Sequence, residues 1–318
     1  MTTKSPDPNE VGSIFLSDEV AEQWQSRKAQ RGKVNAAADE MLIDAANLRP
    51  GNRVLDVAAG TGDQTLLAAR RVGPTGYVLA TDISANMLKR ASDAAREAGL
   101  MNVETRVMDA ENLDLDADSF DSVICRQGLM LISNPVKALT GMRRVVKPNG
   151  KVAALVWSTE EKNPYQGLSF AIVRRIGNMP APAPGQPGRF ALGEPSLLEG
   201  VFRATGFLEI VIHPVSLRNR FASAAKAVQA MTNPGLQKLI ARLNDAEREQ
   251  AWEEIKRQLR QFEGPNGFEA PGEVLIGVGP SRRGKETFNL RANLALQADA
   301  GDAPLSAALA KIGLLLYS

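Results

Sequence analysis

The sequence predicts a doubly wound α/β fold built on a mostly parallel sheet. Three observations carry that prediction. Short apolar strands alternate with helical stretches from about residue 53 to about residue 157. The first strand, carrying Val54, Leu55 and Val57, runs directly into Ala58-Ala59-Gly60-Thr61-Gly62 and then into a helix. The second strand ends on an acid, Asp82. Gly60 and Gly62 let the backbone turn sharply and approach a ligand. A carboxylate at the position of Asp82 can accept hydrogen bonds from two ribose hydroxyls. This is the layout of a nucleotide-type site at the carboxyl edge of a parallel sheet.

The elements follow in order. Residues 18–48 read as helices, because Val20 and Trp24, then Ala36, Ala37, Met41, Leu42, Ala45 and Ala46, recur at helical spacing. Arg49-Pro50-Gly51-Asn52 ends that run with turn chemistry. A strand over 53–57 and a helix over 64–72 come next, with Gly73-Pro74-Thr75-Gly76 as the turn to a strand over 77–81. Ser84 is placed to cap a helix over 85–98. Strands over 103–108 and 120–125 precede a helix over 134–146. Pro148-Asn149-Gly150 then turns the chain into a strand over 151–157.

The character changes after Ser158. A helix over 164–178 is followed by a loop, 179–188, rich in proline and glycine. Residues 196–205 read as a helix ending at Gly206, and 207–217 as a strand. A charged helical block, about 222–262, carries an apolar stripe of Leu236, Leu239, Ile240 and Leu243. A short strand over 273–278 completes the pattern. The expected organisation is an N-terminal helical cap over 1–50 and a main domain over 51–280. That domain carries helical insertions at about 160–205 and 220–265. Residues 281–318, with an apolar helix expected over 304–317, form an extension whose role the sequence does not define.

Composition narrows the function. Of 318 residues, 38 are Lys or Arg and 36 are Asp or Glu, leaving a net charge of +2. That balance argues against a general nucleic-acid binder, which needs a strongly basic face. With one cysteine and one histidine, an intramolecular disulfide is impossible and a Cys/His metal site is not expected. The first ten residues are polar and no apolar run reaches membrane-spanning length, so a cytoplasmic protein is the expectation.

The glycine loop alone does not name its ligand. The dinucleotide pattern Gly-x-Gly-x-x-Gly fails, because Thr65 occupies the third glycine position. Three further segments narrow the choice. Val107–Leu113 puts an acid, Asp109, after the third strand, residues 119–125 form a strand entered through Asp121, and 144–150 make a tight turn. Taken together, these segments resemble the class I S-adenosylmethionine-dependent methyltransferases, above all the ubiquinone/menaquinone-biosynthesis C-methyltransferase type. Residues 56–63 match that subgroup's first motif, including alanine where most class I enzymes have the first glycine. The resemblance spans roughly residues 20–279 and is most specific over 53–158.

The resemblance implies a Rossmann-like sheet of seven strands, one of them antiparallel, with helical lid insertions. It also implies roles for individual residues. The backbone from Ala58 through Gly60 to Gly62 would lie along the methionine part of S-adenosylmethionine. Asp56 would hold that loop through the ammonium group. Asp82 would bind the ribose hydroxyls, and Ile83 would pack on the adenine. Asp109 would bond the adenine amino group, with Ala110 giving a backbone contact. Cys125, Arg126 and Gln127 would lie near the cofactor and the acceptor. The implied reaction is methyl transfer to a small lipophilic or aromatic acceptor, quinol-like or phenol-like. The alternative is a non-catalytic protein that binds S-adenosylmethionine or S-adenosylhomocysteine.

Several residues have plainer readings. Cys125 reads as a small buried hydrophobe and not a nucleophile. Asp121 reads as structural. His213 is the single histidine and a candidate general base, set against simple placement in a strand. Trp24 and Trp157 read as core anchors, with Trp157 the better placed to meet a substrate. Asp63 and Gln127 are candidate polar groups at the methyl site, or loop supports. A base-methylating enzyme is disfavoured, because Asn163-Pro164-Tyr165 lacks the second proline of that motif.

Overall fold

The computed structural model describes residues 14–183, 185–231 and 233–281, so the tail helix expected over 304–317 lies outside the described residues. The strands are β1 (Arg53–Val57), β2 (Tyr77–Asp82), β3 (Val103–Val107), β4 (Phe120–Arg126), β5 (Val146–Trp157), β6 (Val211–Phe221), the two-residue β7 (Glu263–Gly264) and β8 (Gly267–Pro280). They form one sheet in the order β3-β2-β1-β4-β5-β8-β6, with β7 pairing beside β8. Strands β3, β2, β1, β4 and β5 are mutually parallel, while β8 runs antiparallel to both β5 and β6. The order reverses between β1 and β4, and their carboxyl ends therefore border a crevice.

The helices are α1 (Asp18–Ser26), α2 (Lys28–Ala45), α3 (Asp63–Val72), α4 (Ala85–Glu97), α5 (Pro135–Val145), α6 (Pro164–Ile176), α7 (Pro195–Ala204), α8 (Ala224–Gln229), α9 (Pro234–Ile240) and α10 (Asp245–Leu259). Their starts follow from local chemistry. The Ser84 hydroxyl accepts from the Met87 amide, Asn134 from Lys137 and Asn233 from Leu236, while Asn244 and Glu247 close a capping box. Proline begins α5, α6, α7 and α9, where its missing N–H costs nothing. Among the described residues no helix is long and apolar enough to cross a membrane.

Two apolar clusters organise the packing. The larger follows the sheet, with Leu55, Ile124, Leu155 and Ile276 flanked by Leu42, Leu139 and Phe202. The second gathers Tyr165, Val173, Ala227, Leu236, Ile255 and Phe268 from α6, α8, α9, α10 and β8. It exists because β6 and β8 outrun the sheet. The last β5 pair is Trp157 with Val274, whereas β6 and β8 continue to pair as far as Phe221 with Phe268. That overhang gives the lid helices an apolar backing past the carboxyl edge.

Four expectations shift. The strand expected over 207–217 runs four residues later, because Phe207 is drawn into the core against Phe202, ring centroids 5.4 Å apart. The strand expected over 273–278 is 14 residues long, its first half carried by β6. The turn at Pro148-Asn149-Gly150 lies inside β5 as an irregularity, with Asn149 at φ +67° and pairing shifted between Phe120 and Ser122. The helix over 195–204 packs on the sheet through Leu198, Val201 and Phe202 instead of covering the crevice.

Gly279 of β8 lies directly under the Phe207 ring, with no room for a Cβ. We expect Gly279→Ala to destabilise the protein by about 1–3 kcal/mol in urea melts. Adding Phe207→Leu should recover part of that loss. Equal stability of Gly279→Ala and the parent would contradict this packing.

Candidate active site

The crevice is built from the ends of β1, β2 and β4. Asp56, near the end of β1, is wholly buried, and its Oδ2 accepts from the Thr65 hydroxyl at 2.6 Å. Thr65 thus fills the absent third glycine with a tether from α3 to the buried acid. The other oxygen, Oδ1, has no hydrogen-bond partner among the described residues. Burial pushes this carboxyl up to about 7, against the Thr65 hydrogen bond and the Arg126 charge, which pull it down.

The loop that follows is left-handed at Ala58 and Gly60, both at φ +56°. An alanine in that region costs on the order of 1 kcal/mol, so its surroundings must hold it there. They do: the Ala59 amide donates to the Thr81 carbonyl at 3.0 Å, and the Gly60 amide to Asp82 Oδ2 at 2.9 Å. No atom lies within 4 Å of where a Gly60 side chain would begin, so the loop leaves open space above it. At Gly62, by contrast, a Cβ would stand 2.9 Å from that of Ala91, because α3 and α4 meet there.

Asp82 accepts from two amides, Gly60 on one oxygen and Ser84 on the other, the latter also at 2.9 Å. Burial raises its carboxyl while the Ser84, Gly60 and Ile83 amides oppose the rise. Beside it, Ile83 is 49% exposed, an unusual position for so apolar a side chain. Asp109 lies exposed after β3 and closes its own turn, accepting from the Glu111 amide at 2.9 Å and the Asn112 side-chain amide at 2.6 Å. Ala110 packs half-buried on the main core.

Cys125, at the end of β4, is fully buried beneath the next loop, and burial pushes its thiol up to about 12. That is the chemistry of a core residue. Gln127 is left-handed at φ +55° and reaches Asn35 Oδ1 at 3.4 Å. A Cβ on Gly128 would meet that of Ala58 at 2.5 Å, so the loops after β1 and β4 press together through small residues.

Past Gln127 opens a cavity of about 890 Å³, its mouth included. Trp24, Trp157, Tyr165 and Phe170 line it. Both tryptophans therefore face the cavity, Trp24 from a helix that sequence alone read as core. Two ion pairs fasten the N-terminal helices to this edge. Arg31 donates to Asp63 at 2.9 Å and lies 4.5 Å from the Trp24 ring, and Arg126 donates to Asp39 at 2.6 Å in a nearly buried pair. No local pattern marks Arg31, Asp39 or Tyr165, because their partners lie tens of residues away.

Two candidates stand apart. His213 is exposed on the outer strand β6, paired with Ile276, and lines no part of the cavity. Asp121 sits at the opposite end of β4, accepting from the Arg53 amide and Lys147, both at 2.7 Å.

The sequence pattern of the ubiE/COQ5 methyltransferase family matches residues 34–183. A Ralstonia pickettii protein named ubiquinone/menaquinone biosynthesis C-methyltransferase UbiE is 41% identical over 146 residues, covering 45% of this chain and 59% of that protein. A Pseudomonas aeruginosa protein of the same name is 36% identical over 182 residues, covering 55% and 70%. Among solved structures, a Haemonchus contortus phosphoethanolamine N-methyltransferase in complex with S-adenosyl-L-methionine superposes with a TM-score of 0.56. It is 15% identical, covering 89% of this chain and 62% of that one, and shares the fold.

The buried acid makes a signed prediction. The folded Asp56 carboxyl lies near 7, above its ordinary 3.8, so its contribution to stability is fully present below about pH 4 and lost as pH rises through 7. Asp39 and Asp82 shift the same way, so only a difference measurement isolates Asp56. In ligand-free melts, Asp56→Asn should gain on the parent by about 1.4 kcal/mol per pH unit between pH 4 and 7. A constant difference across that window would contradict it.

Proposed function

Because the chain belongs to the ubiE/COQ5 methyltransferase family, we propose that it transfers a methyl group from S-adenosylmethionine to a small aromatic acceptor of the quinol or phenol kind. The observation that carries this reading is the set Asp56, Gly60 and Asp82. An unpartnered buried carboxylate oxygen and an amide-tethered carboxylate flank a loop with open space above it.

These residues fit the cofactor. The Asp56 carboxylate, short of one partner, suits a nearby ammonium group, which would favour its ionised form. Asp82 keeps lone pairs free after meeting two amides and suits a ribose diol. Ile83 offers an exposed apolar face for the adenine ring, and Asp109 an acceptor for its amino group. Ala58 through Gly62 gives backbone contacts, Ala110 adds one more, and Cys125 supports the loop from below. Bound there, S-adenosylmethionine supplies an electrophilic methyl group on a sulfonium sulfur.

The chain's own contribution is alignment and exclusion of water. Gln127 stands between the glycine loop and the cavity, where it positions the acceptor. Trp24, Trp157 and Phe170 wall off an aromatic ring from solvent. Helices α1 and α2 act as a cap pinned by the Arg31–Asp63 pair, and α6, α8, α9 and α10 act as the lid. His213 has no step in this reading. The relatives' names point to carbon as the methylated atom and to a quinol as its bearer. The chain's single cysteine, buried and free, goes with a cytoplasmic setting.

Two measurements test this. Calorimetry should show S-adenosylhomocysteine binding while NAD does not, with Asp82→Ala weakening it at least tenfold. The same affinity should fall as pH drops below about 7, where Asp56 must lose a proton to meet a cation, and Asp56→Asn should flatten that dependence. Unchanged affinity in Asp82→Ala would remove the site assignment. Formation of S-adenosylhomocysteine with a panel of quinols and phenols then tests turnover, and no product with any of them would count against the acceptor class.

A further inference from the structure

Arg189, in the loop between α6 and α7, is a cation with no counter-charge among the described residues. Its guanidinium lies 5.0 Å from the Trp157 ring centroid, and its Nε and Nη1 are covered from solvent with no hydrogen-bond acceptor. The residue as a whole is half-buried, and these two nitrogens belong to its enclosed part. Burial pushes the guanidinium down to about 9, which still leaves it charged at neutral pH. Among the described residues the one group that could favour its charge is Tyr165, but burial holds that phenol neutral, and it donates to the Ala227 carbonyl at 2.8 Å.

The cavity around it has the same bias. Three arginines line it, Arg27, Arg31 and Arg189, and among the described residues no carboxylate does. Arg31 is met by Asp63, and Arg27 donates to the Ala230 carbonyl. Arg189 alone is left facing an aromatic space. The loop holding it is itself fixed, since the Gly188 amide donates to the Met130 carbonyl at 2.9 Å. A desolvated guanidinium is costly unless paired, and its flat fork matches a carboxylate or another anionic oxygen. A neutral ring would leave that cost standing.

We propose that Arg189 is a specificity-determining anchor, and that the cavity takes a planar aromatic acceptor bearing an anionic oxygen, either a carboxylate or an ionised phenol. This rests on the methyl-transfer reading for the cavity's role and adds the charge of its occupant. Trp157 and Phe170 meet the ring, and Arg189 meets the charge and sets its orientation. A neutral acceptor of the same shape enters more weakly.

The test is calorimetry on the full chain, with and without S-adenosylhomocysteine, using three probes. These are 3,4-dihydroxybenzoate, its neutral methyl ester, and 4-nitrocatechol, whose phenol ionises near neutral pH. One or both anionic probes should bind about ten- to a hundred-fold more tightly than the ester. Preference for the benzoate alone identifies a carboxylate, and preference for the nitrocatechol alone identifies a phenolate. Arg189→Met should bring anion and ester to the same affinity while leaving S-adenosylhomocysteine affinity unchanged. Its ligand-free melting temperature should equal or exceed the parent's, because a buried unpaired charge is gone. Should that variant not fold, Arg189→Gln takes its place, and the parent's own ranking of the probes still decides. Equal binding of ester and anions overturns the proposal, as does a preference that survives Arg189→Met, or no binding of either anion up to about 1 mM. Failure of the methyl-transfer reading shows separately, as absent S-adenosylhomocysteine binding with the anion preference intact.

Discussion

The hydrogen bond from the Gly60 amide to Asp82 joins the end of β1 to the end of β2, and the crevice depends on it. It converts a flexible run of small residues into a loop of fixed shape, left-handed at Ala58 and Gly60. The same contact orients the Asp82 carboxylate toward the crevice without exhausting its lone pairs. Asp56 anchors the root of the loop through Thr65, and Gly128 presses on it from the other side. One short tether thus sets backbone conformation, the position of a charge and the opening of a ligand space.

A second constraint shapes the cavity side. Strands β6 and β8 extend past β5, and an antiparallel pair outside a sheet needs an apolar partner for its faces. The helices of the second cluster supply it, and in doing so they roof the cavity beside Gln127. Helices α1 and α2 close the remaining side through Arg31 and Arg126. Among the described residues the roof brings aromatic rings and arginines but no carboxylate, and this gives the cavity its positive charge. The two halves of the site therefore differ in kind. The crevice is built of backbone and acids, whereas the cavity is built of rings and cations.

Much of the crevice was legible in the sequence, because its chemistry is local. Asp56, Gly60 and Asp82 lie at strand ends that periodicity identifies, and the placement of Cys125 in the core follows from its apolar strand. The cavity was only partly legible. Trp157 was placed by its position at the end of β5, but Trp24 read as core, and His213 drew attention only because it is the single histidine. The late start of β6 was hidden as well, since the core takes Phe207 for its volume and not for its place in a pattern.

The sequence by itself determined the alternation of strands and helices, the glycine loop with its acids, and the absence of the third dinucleotide glycine. These depend on neighbours a few residues apart, where propensity and spacing are decisive. Only the tertiary structure decided which charges are paired. Arg31 finds Asp63, Arg126 finds Asp39, and Arg189 finds no acid among the described residues, although all three look alike as letters in a chain of nearly balanced charge. Pairing depends on distance and desolvation in the folded molecule, and a linear pattern carries neither.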